Sequence, residues 1–133
     1  MIQFGYQPRT SGSVATPANL RRFAQMAEDL GYDAVSVTDH VVMPLEIASR
    51  YPYNDSGKMQ VELGDEYYDP LALLGVWAGA TSRVILQTSV LVVPYRNPVI
   101  TAKLLSSLDA LSGGRLEVGV GVGWMEEEFE ILH

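Results

Sequence analysis

Short apolar runs alternate with amphipathic stretches along the chain, and this alternation occurs four times. The apolar runs cover residues 2–7, 34–38, 84–93 and 116–122. The third run, VILQTSVLVV, is almost continuously apolar, which is typical of a parallel strand covered on both faces. The pattern therefore predicts four strands, each followed by a helix.

Three of the predicted helices begin with a capping residue and a proline. The pairs are Thr16-Pro17, Asp69-Pro70 and Asn97-Pro98. In each pair the first side chain can accept a backbone N–H, and the proline suits the first helical position. A left-handed cap is expected at Gly31 after the first helix, and Gly113-Gly114 is expected to end the third.

Helical spacing of apolar residues predicts which faces are buried. The first helix has its apolar face at Leu20, Phe23, Ala24, Ala27 and Leu30. The second is apolar from Pro70 to about Ala80. For the third, the predicted face comprises Ile100 or Thr101, Leu104, Leu105, Leu108 and Leu111. A fourth helix begins with an acidic turn at residues 126–128.

Strands that alternate with helices imply an α/β fold with a parallel sheet and right-handed crossovers. Two architectures fit: a small open sheet of flavodoxin type, or the first half of a (β/α)8 barrel, which needs about 250 residues. The chain has 133 residues and stops in the first turns of its fourth helix. We expect one domain over residues 1–133 that is either cut at its C-terminus or completed by association.

Charge and composition exclude several classes of function. The net charge is −7 and the nine basic residues are scattered, which argues against nucleic acid or an anionic membrane as a partner. The absence of cysteine excludes disulfides, thiolate chemistry and zinc–cysteine sites. We predict no metal site. Without a signal-peptide pattern or a bilayer-length apolar run, we expect a cytoplasmic protein.

Candidate chemistry lies at the end of the second strand, where VSVTDHV leads from apolar residues to Asp39 and His40. Parallel strands carry functional groups at their carboxyl ends, and histidine suits proton transfer near neutral pH. These two residues are therefore candidate catalytic groups. The alternative is structural: Asp39 caps the following loop and His40 bonds to backbone.

A second candidate is the glycine-rich segment GVGVG at residues 119–123. It lacks the third glycine of a dinucleotide-binding turn, because that position is Trp124. The alternating glycines indicate close approach by a flat ligand or by another backbone, with a tight barrel interior as the alternative. The acidic residues 126–128 would repel a phosphate at this helix start.

The predicted loop from about residue 41 to 68 is long for a connection between strand and helix, and such loops are usually functional or disordered. Its four tyrosines favour an ordered loop that forms a wall of a substrate pocket. A packing insert is the alternative reading. The four are Tyr51, Tyr53, Tyr67 and Tyr68.

Several segments, in order along nearly the whole chain, resemble the luciferase-like monooxygenase superfamily. They are VSVTDHVVMP, SRYPY, TSVLVVPYRNP and LSGGRLEVGVGVGWMEEEFE. More narrowly, they are similar to the branch of oxidoreductases that use coenzyme F420, a deazaflavin. The resemblance implies a (β/α)8 barrel of which this chain supplies the first half.

The resemblance also implies roles for residues. Asp39 and His40 would lie beside the reactive ring, with His40 as acid/base. The third strand would contain a bulge with a non-proline cis peptide at Ser89-Val90, preceded by Thr88, and these three residues would back the ring.

The segment after the fourth strand would also lie near the ring, with Gly121, Gly123 and Trp124 as the predicted contacts. Some sugar-phosphate dehydrogenases of the family have a catalytic glutamate at the position of Trp124, so the tryptophan speaks against that substrate class.

The implied reaction is hydride transfer between F420 and a small organic substrate. An FMN-dependent monooxygenase is the nearest alternative, and an inactive half-barrel that self-associates is an alternative of another class. Cofactor phosphates are expected to bind mainly to the second half of a barrel, so binding by this chain alone should be weak or absent. The exposed edges of a half-barrel predict a homo-oligomer that completes the barrel.

Overall fold

The computed structural model describes residues 2–59 and 64–133, so part of the predicted long loop, residues 60–63, lies outside it. Four strands form one parallel sheet in the order β1-β2-β3-β4. This confirms the predicted alternation of strands and helices. The elements are β1 (Gly5–Tyr6), α1 (Pro17–Asp29), β2 (Ala34–Val37), α2 (Pro70–Ala80), β3 (Ile85–Val92), a 3₁₀ turn (Val93–Tyr95), α3 (Pro98–Ser112), β4 (Leu116–Gly121) and α4 (Glu126–Leu132).

The predicted helix caps are confirmed. In the first turn of its helix, the side chain of Thr16 accepts one backbone N–H group, and those of Asp69 and Asn97 accept two each. Proline follows each of the three. Gly31 and Gly113 have φ of 83° and 75°, the left-handed conformation that glycine adopts without a steric penalty. Local sequence thus sets the helix boundaries.

The core lies between the helices and one face of the sheet. Trp77 of α2 is fully buried, and its indole N–H donates to the carbonyl oxygen of Leu20 in α1 at 2.9 Å. Val35 and Leu86, from the two central strands, are also fully buried. This packing fixes α1 and α2 against the strands, so the carboxyl ends of β2 and β3 are held in place.

Three predictions from the hydrophobic pattern were wrong. Leu30, predicted on the buried face of α1, is 71% exposed. The first strand is only two residues long, because its pairing with β2 is confined to Gly5 and Tyr6. In α3 the buried residues are Thr101, Leu108 and Ser112, whereas Leu104 and Leu111 are exposed. The buried residues follow the i, i+7, i+11 spacing of one narrow stripe, and the two leucines lie off it.

The connection between α2 and β3 is held by a glutamate and an arginine. The carboxylate of Glu28 in α1 accepts backbone N–H groups from Ser82, Arg83 and Val84. The guanidinium of Arg115 donates to the carbonyl oxygens of Ala78, Thr81 and Val84. This turn therefore needs long-range partners to satisfy its backbone groups.

Stability should fall in acid through Glu28. Burial alone would raise the pKa of this carboxyl, but the backbone hydrogen bonds from Val84, Arg83 and Ser82 lower the pKa to about 2 from 4.5. Because the folded-state pKa is the lower one, the stabilisation is complete above about pH 4.5 and is lost as the pH falls towards 2. Glu28→Gln should therefore unfold at lower urea than the unchanged chain at pH 7, with the difference shrinking between pH 4.5 and 2.

The matched control is Asp29→Asn, the exposed neighbour on the same helix. Its unfolding midpoint should stay close to that of the unchanged chain across this range. An effect of Glu28→Gln that does not change with pH would contradict the assignment.

Candidate active site

A cavity of about 1170 Å³ lies at the carboxyl ends of β2, β3 and β4. Its position is the one where parallel α/β folds gather functional groups. Polar, aromatic and backbone groups share the wall. Its lining comprises Arg9, Ser11, Thr38, Asp39, His40, Tyr51, Tyr53, Met59, Tyr67, Ser89, Val90, Val92, Tyr95, Val120, Gly121, Val122, Gly123 and Trp124.

Asp39 ties the ends of β2 and β3 together. Its side chain is fully buried, and its Oδ2 accepts the backbone N–H of Val92 at 2.8 Å. The guanidinium of Arg96 binds both carboxylate oxygens. A third bond from Arg96 reaches Asp69, the cap of α2, at 2.8 Å. Burial alone would lower the pKa of Arg96, but its bonds to the two aspartates raise it.

His40 is held by a residue of α4, far away in sequence. Its Nδ1 lies 2.9 Å from Oε2 of Glu128. The other oxygen of Glu128 accepts the backbone N–H groups of Val41 and Val42, at 2.6 and 3.1 Å. One acid therefore fixes both the imidazole and the first residues of the long loop.

Glu128 has no exposed surface. Burial alone would raise its pKa, but the hydrogen bond from His40 and the two backbone N–H groups lower the pKa, so the carboxylate is the stable form. Burial and the neighbouring Glu128 raise the pKa of the Tyr95 phenol, which therefore stays protonated.

The third strand contains the predicted irregularity. Its register with β4 shifts between Thr88 and Leu91, and the Ser89-Val90 peptide bond is cis, as the family resemblance implied. Ser89 and Val90 line the cavity and are exposed. Thr88 is buried and is not among the lining residues; its hydroxyl donates to the carbonyl oxygen of Gly119 at 2.8 Å.

The glycines of β4 make room for this bulge. A Cβ on Gly119 would lie 2.4 Å from the carbonyl oxygen of Thr88, and one on Gly121 would lie 2.5 Å from Cγ2 of Val90. Of the two predicted reasons for alternating glycines, close approach by another backbone is therefore the one present at Gly119. Gly123 has φ of 82°, and a side chain there would meet Phe129.

Aromatic rings of the long loop form one wall of the cavity. Trp124 packs edge-on against Tyr51, with ring centroids 5.2 Å apart, and its ring lies 6.4 Å from that of His40. Tyr67 lies 6.3 Å from His40, also edge-on. Tyr51, Tyr53 and Tyr67 line the cavity, whereas Tyr68 does not. The imidazole thus has two aromatic neighbours, each in a T-shaped arrangement with it.

The structure brings seven of the eight predicted site residues to the cavity wall, with Thr88 the exception. The catalytic role of Asp39 stays a prediction, and its buried bonds to Val92 and Arg96 favour a positioning role. Sequence reasoning missed Arg96 and Glu128. Both stand in stretches that were singled out for other reasons, the segment TSVLVVPYRNP and the acidic turn at residues 126–128.

The cavity suits a flat ring better than a phosphate group. It offers valines, aromatic rings and exposed backbone, and it is large enough for a tricyclic ring. Apart from His40, its only basic lining residue among those described is Arg9, whose guanidinium lies 3.9 Å from Asp65. No cluster of three potential metal ligands occurs in residues 2–59 and 64–133. No helix in this part of the chain is long and apolar enough to cross a bilayer.

Comparison with known proteins places the chain in a family. Residues 1–132 match the luciferase-like monooxygenase family, and the chain belongs to it. An uncharacterized protein of Mycobacterium tuberculosis is 32% identical over 127 residues, 96% of this chain and 44% of that protein. An F420-dependent glucose-6-phosphate dehydrogenase of Beutenbergia cavernae is also 32% identical, over 92% of this chain and 32% of the enzyme.

The fold agrees with this assignment. The solved structure of monooxygenase RslO1 from Streptomyces bottropensis superposes with a TM-score of 0.70 and 27% identity, over 98% of this chain and 36% of that one. The four β/α units are thus the first half of a (β/α)8 barrel. The chain spans less than half the length of the curated relatives it matches.

Removal of the Arg96 guanidinium should strongly destabilise the fold. Arg96→Met leaves the fully buried carboxylate of Asp39 without its cation, and breaking a buried pair costs about 3–5 kcal/mol. The control is Arg9→Met, because Arg9 is largely exposed in its pair with Asp65, and such pairs contribute about 1 kcal/mol or less. Urea unfolding of both variants measures the difference, and equal losses would contradict this role for Arg96.

Proposed function

We propose that this chain forms the ring-binding and proton-transfer half of a deazaflavin-dependent oxidoreductase. The substrate is a small organic molecule, and the reaction is hydride transfer to or from coenzyme F420. The observation that carries the proposal is the pairing of His40 with the buried Glu128 at the wall of a cavity bounded by the β3 bulge. The 32% identity to an F420-dependent dehydrogenase supports the choice of cofactor.

In this proposal the two sides of the cavity have different roles. Ser89 and Val90 on β3, with Gly121 and Gly123 at the end of β4, form a surface against which a flat ring stacks. Trp124 and the loop tyrosines cover the other side and exclude water. When bound, F420 supplies a carbon that gives or takes a hydride, and the redox chemistry is the cofactor's own.

His40 gives a proton to the substrate or takes one from it. The imidazole of His40 lies at the cavity wall. Because its Nδ1 is hydrogen-bonded to Glu128, Nε2 is the nitrogen left to meet the substrate. A proton donor or acceptor placed in this way contributes about 10²–10⁴-fold to a rate. Asp39 acts on the same region through Val92 and Arg96, by holding the ends of β2 and β3 together.

The second candidate is an FMN-dependent monooxygenase, which the family name and the fold of RslO1 support. The aromatic, weakly basic cavity suits either tricyclic ring. An alternative of another class is an inactive half-barrel that works as a scaffold. A substrate of the sugar-phosphate type is disfavoured, because the wall holds Trp124 and one paired arginine where such a substrate needs charged partners.

Binding of F420 should be weak but saturable, and tighter than binding of FMN, when each is titrated separately and followed by fluorescence quenching. Val90→Trp should raise the F420 dissociation constant about tenfold or more, a loss of about 1.4 kcal/mol, because the new ring fills the stacking surface. Val93→Trp is the matched control, since Val93 is exposed to the same degree, 42% against 41%, but does not line the cavity.

Tighter binding of FMN would favour the monooxygenase. No binding of either cofactor, or equal effects of the two tryptophans, would contradict the proposed ring site. Circular dichroism of both variants establishes that they are folded.

We also propose that the chain functions as a homo-oligomer whose copies complete a barrel. The strands β1 and β4 are the edges of the sheet, and β4 and the residue after it expose Val118, Val120 and Val122. Edge strands with exposed apolar side chains favour pairing with another chain.

Sedimentation velocity should therefore show a dimer or larger species. Val118→Lys should shift it towards monomer, because a charged edge residue opposes pairing. Leu45→Lys, in an exposed loop position away from the sheet, should leave the mass unchanged. A monomer at all concentrations would contradict the proposal.

A further inference from the structure

The buried acid of α4 makes three hydrogen bonds, all with consecutive residues, 40–42, of the loop that follows β2. Glu128 has no exposed surface, and its Oε1 accepts both backbone N–H groups from Val41 and Val42. Its Oε2 faces Nδ1 of His40 at 2.9 Å. Since backbone amides can only donate, Oε1 has a fixed role as acceptor.

The same contacts determine where the proton of the imidazole lies. An ionised carboxylate has no proton to donate, so the bond at Oε2 requires a proton on Nδ1 of His40. The lowered pKa of Glu128 supports the ionised form. In the neutral imidazole the other nitrogen, Nε2, then carries a lone pair.

We propose that Glu128 is the positioning residue of the site: it holds neutral His40 as the Nδ1–H tautomer and so presents Nε2 as a hydrogen-bond acceptor. The tautomer follows from the contacts of Glu128 alone, whereas its catalytic meaning rests on the proposed function. With this arrangement the neutral ring takes a proton from a substrate hydroxyl or amine at Nε2. The rings of Tyr67 and Trp124 are nearly perpendicular to the imidazole, with centroids 6.3 and 6.4 Å from its own.

Replacement of Glu128 by glutamine, which has nearly the same shape, should reverse the tautomer of His40. In Glu128→Gln the two backbone donors require the amide oxygen to take the place of Oε1. The amide NH₂ then occupies the place of Oε2 and donates to Nδ1 of His40, which must become an acceptor. The proton of the neutral imidazole moves to Nε2. This nitrogen is then a hydrogen-bond donor in the variant, whereas in the unchanged chain it is an acceptor that can take a proton. Exchange of an acid for its amide beside a catalytic histidine is known to have this effect in the serine-protease triad.

The test is ¹⁵N NMR of the histidine side chains at about pH 8, where an ordinary imidazole is neutral. The chain has two histidines, and His133, whose Nε2 lies near the carbonyl oxygen of Pro94, serves as the internal reference. Long-range proton–nitrogen correlations distinguish the two tautomers. We expect Nδ1–H for His40 in the unchanged chain and Nε2–H in Glu128→Gln.

Glu127→Gln is the matched control. Glu127 stands on the same turn of α4, but its Oε1 accepts backbone N–H groups from Ala48 and Ser49 and makes no contact with His40. This variant should keep the Nδ1–H tautomer. A role of Glu128 confined to holding the loop would leave the tautomer of His40 unchanged in Glu128→Gln.

Two results would overturn the proposal: an Nε2–H tautomer in the unchanged chain, or the same tautomer before and after the change to glutamine. The first is measurable even if Glu128→Gln fails to fold. The result is also independent of cofactor binding. If the tautomer is confirmed but neither F420 nor FMN binds, only the proposed function is contradicted. If F420 binds but His40 is the Nε2–H tautomer in the unchanged chain, only the proposal for Glu128 is contradicted.

Discussion

The carboxylate of Asp39 is the interaction on which the arrangement of the site depends. It is fully buried at the end of β2, where an ionised group is stable only with complete hydrogen bonding and a cation. Val92 supplies the backbone donor from the end of β3, and Arg96 supplies the cation. Because Arg96 also binds Asp69, the cap of α2, the ends of two strands and the start of a helix form one unit.

Glu128 is a second buried carboxylate that is stabilised by hydrogen bonds. It accepts hydrogen bonds from the backbone N–H groups of Val41 and Val42 at the start of the long loop, and it is hydrogen-bonded to Nδ1 of His40. Its helix, α4, is the next element after β4. The two acids thus hold neighbouring parts of the cavity: Asp39 joins the ends of β2 and β3, and Glu128 holds the residues directly after Asp39. Such networks are stable when each member has its partners, and they restrict their members to one geometry. Such restriction suits the proton-transfer role proposed for His40.

Local signals in the sequence were sufficient for the framework. Thr16, Asp69 and Asn97 with their prolines marked helix starts correctly, since a cap acts within one turn. The buried face of α3 was wrong, because leucines such as Leu104 and Leu111 match a helical stripe that this structure leaves exposed. Periodicity reports that a helix has an apolar face and does not identify the surface that covers it.

Only part of the site was predicted, because some of its contacts join residues that are far apart in the sequence. The strand ends located Asp39 and His40, and family resemblance located the bulge of β3. No local pattern could pair His40 with Glu128, 88 residues away, or distinguish Glu128 from the two acids before it. That choice is made by the helical geometry of α4, which buries Glu128 and leaves Glu126 exposed. The role of the glycines in β4 likewise became apparent only with the neighbouring strand in place.

The central claim is that buried acids fix the groups around the cavity, and amide hydrogen exchange at neutral pH tests it most directly. Val41 and Val42 lie outside any helix or strand, and Val41 is 43% exposed, so their amides would exchange quickly without Glu128. The account predicts protection close to that of the central strand amides at Val37 and Leu86. Exchange as fast as in the exposed loop at residues 54–56 would contradict it.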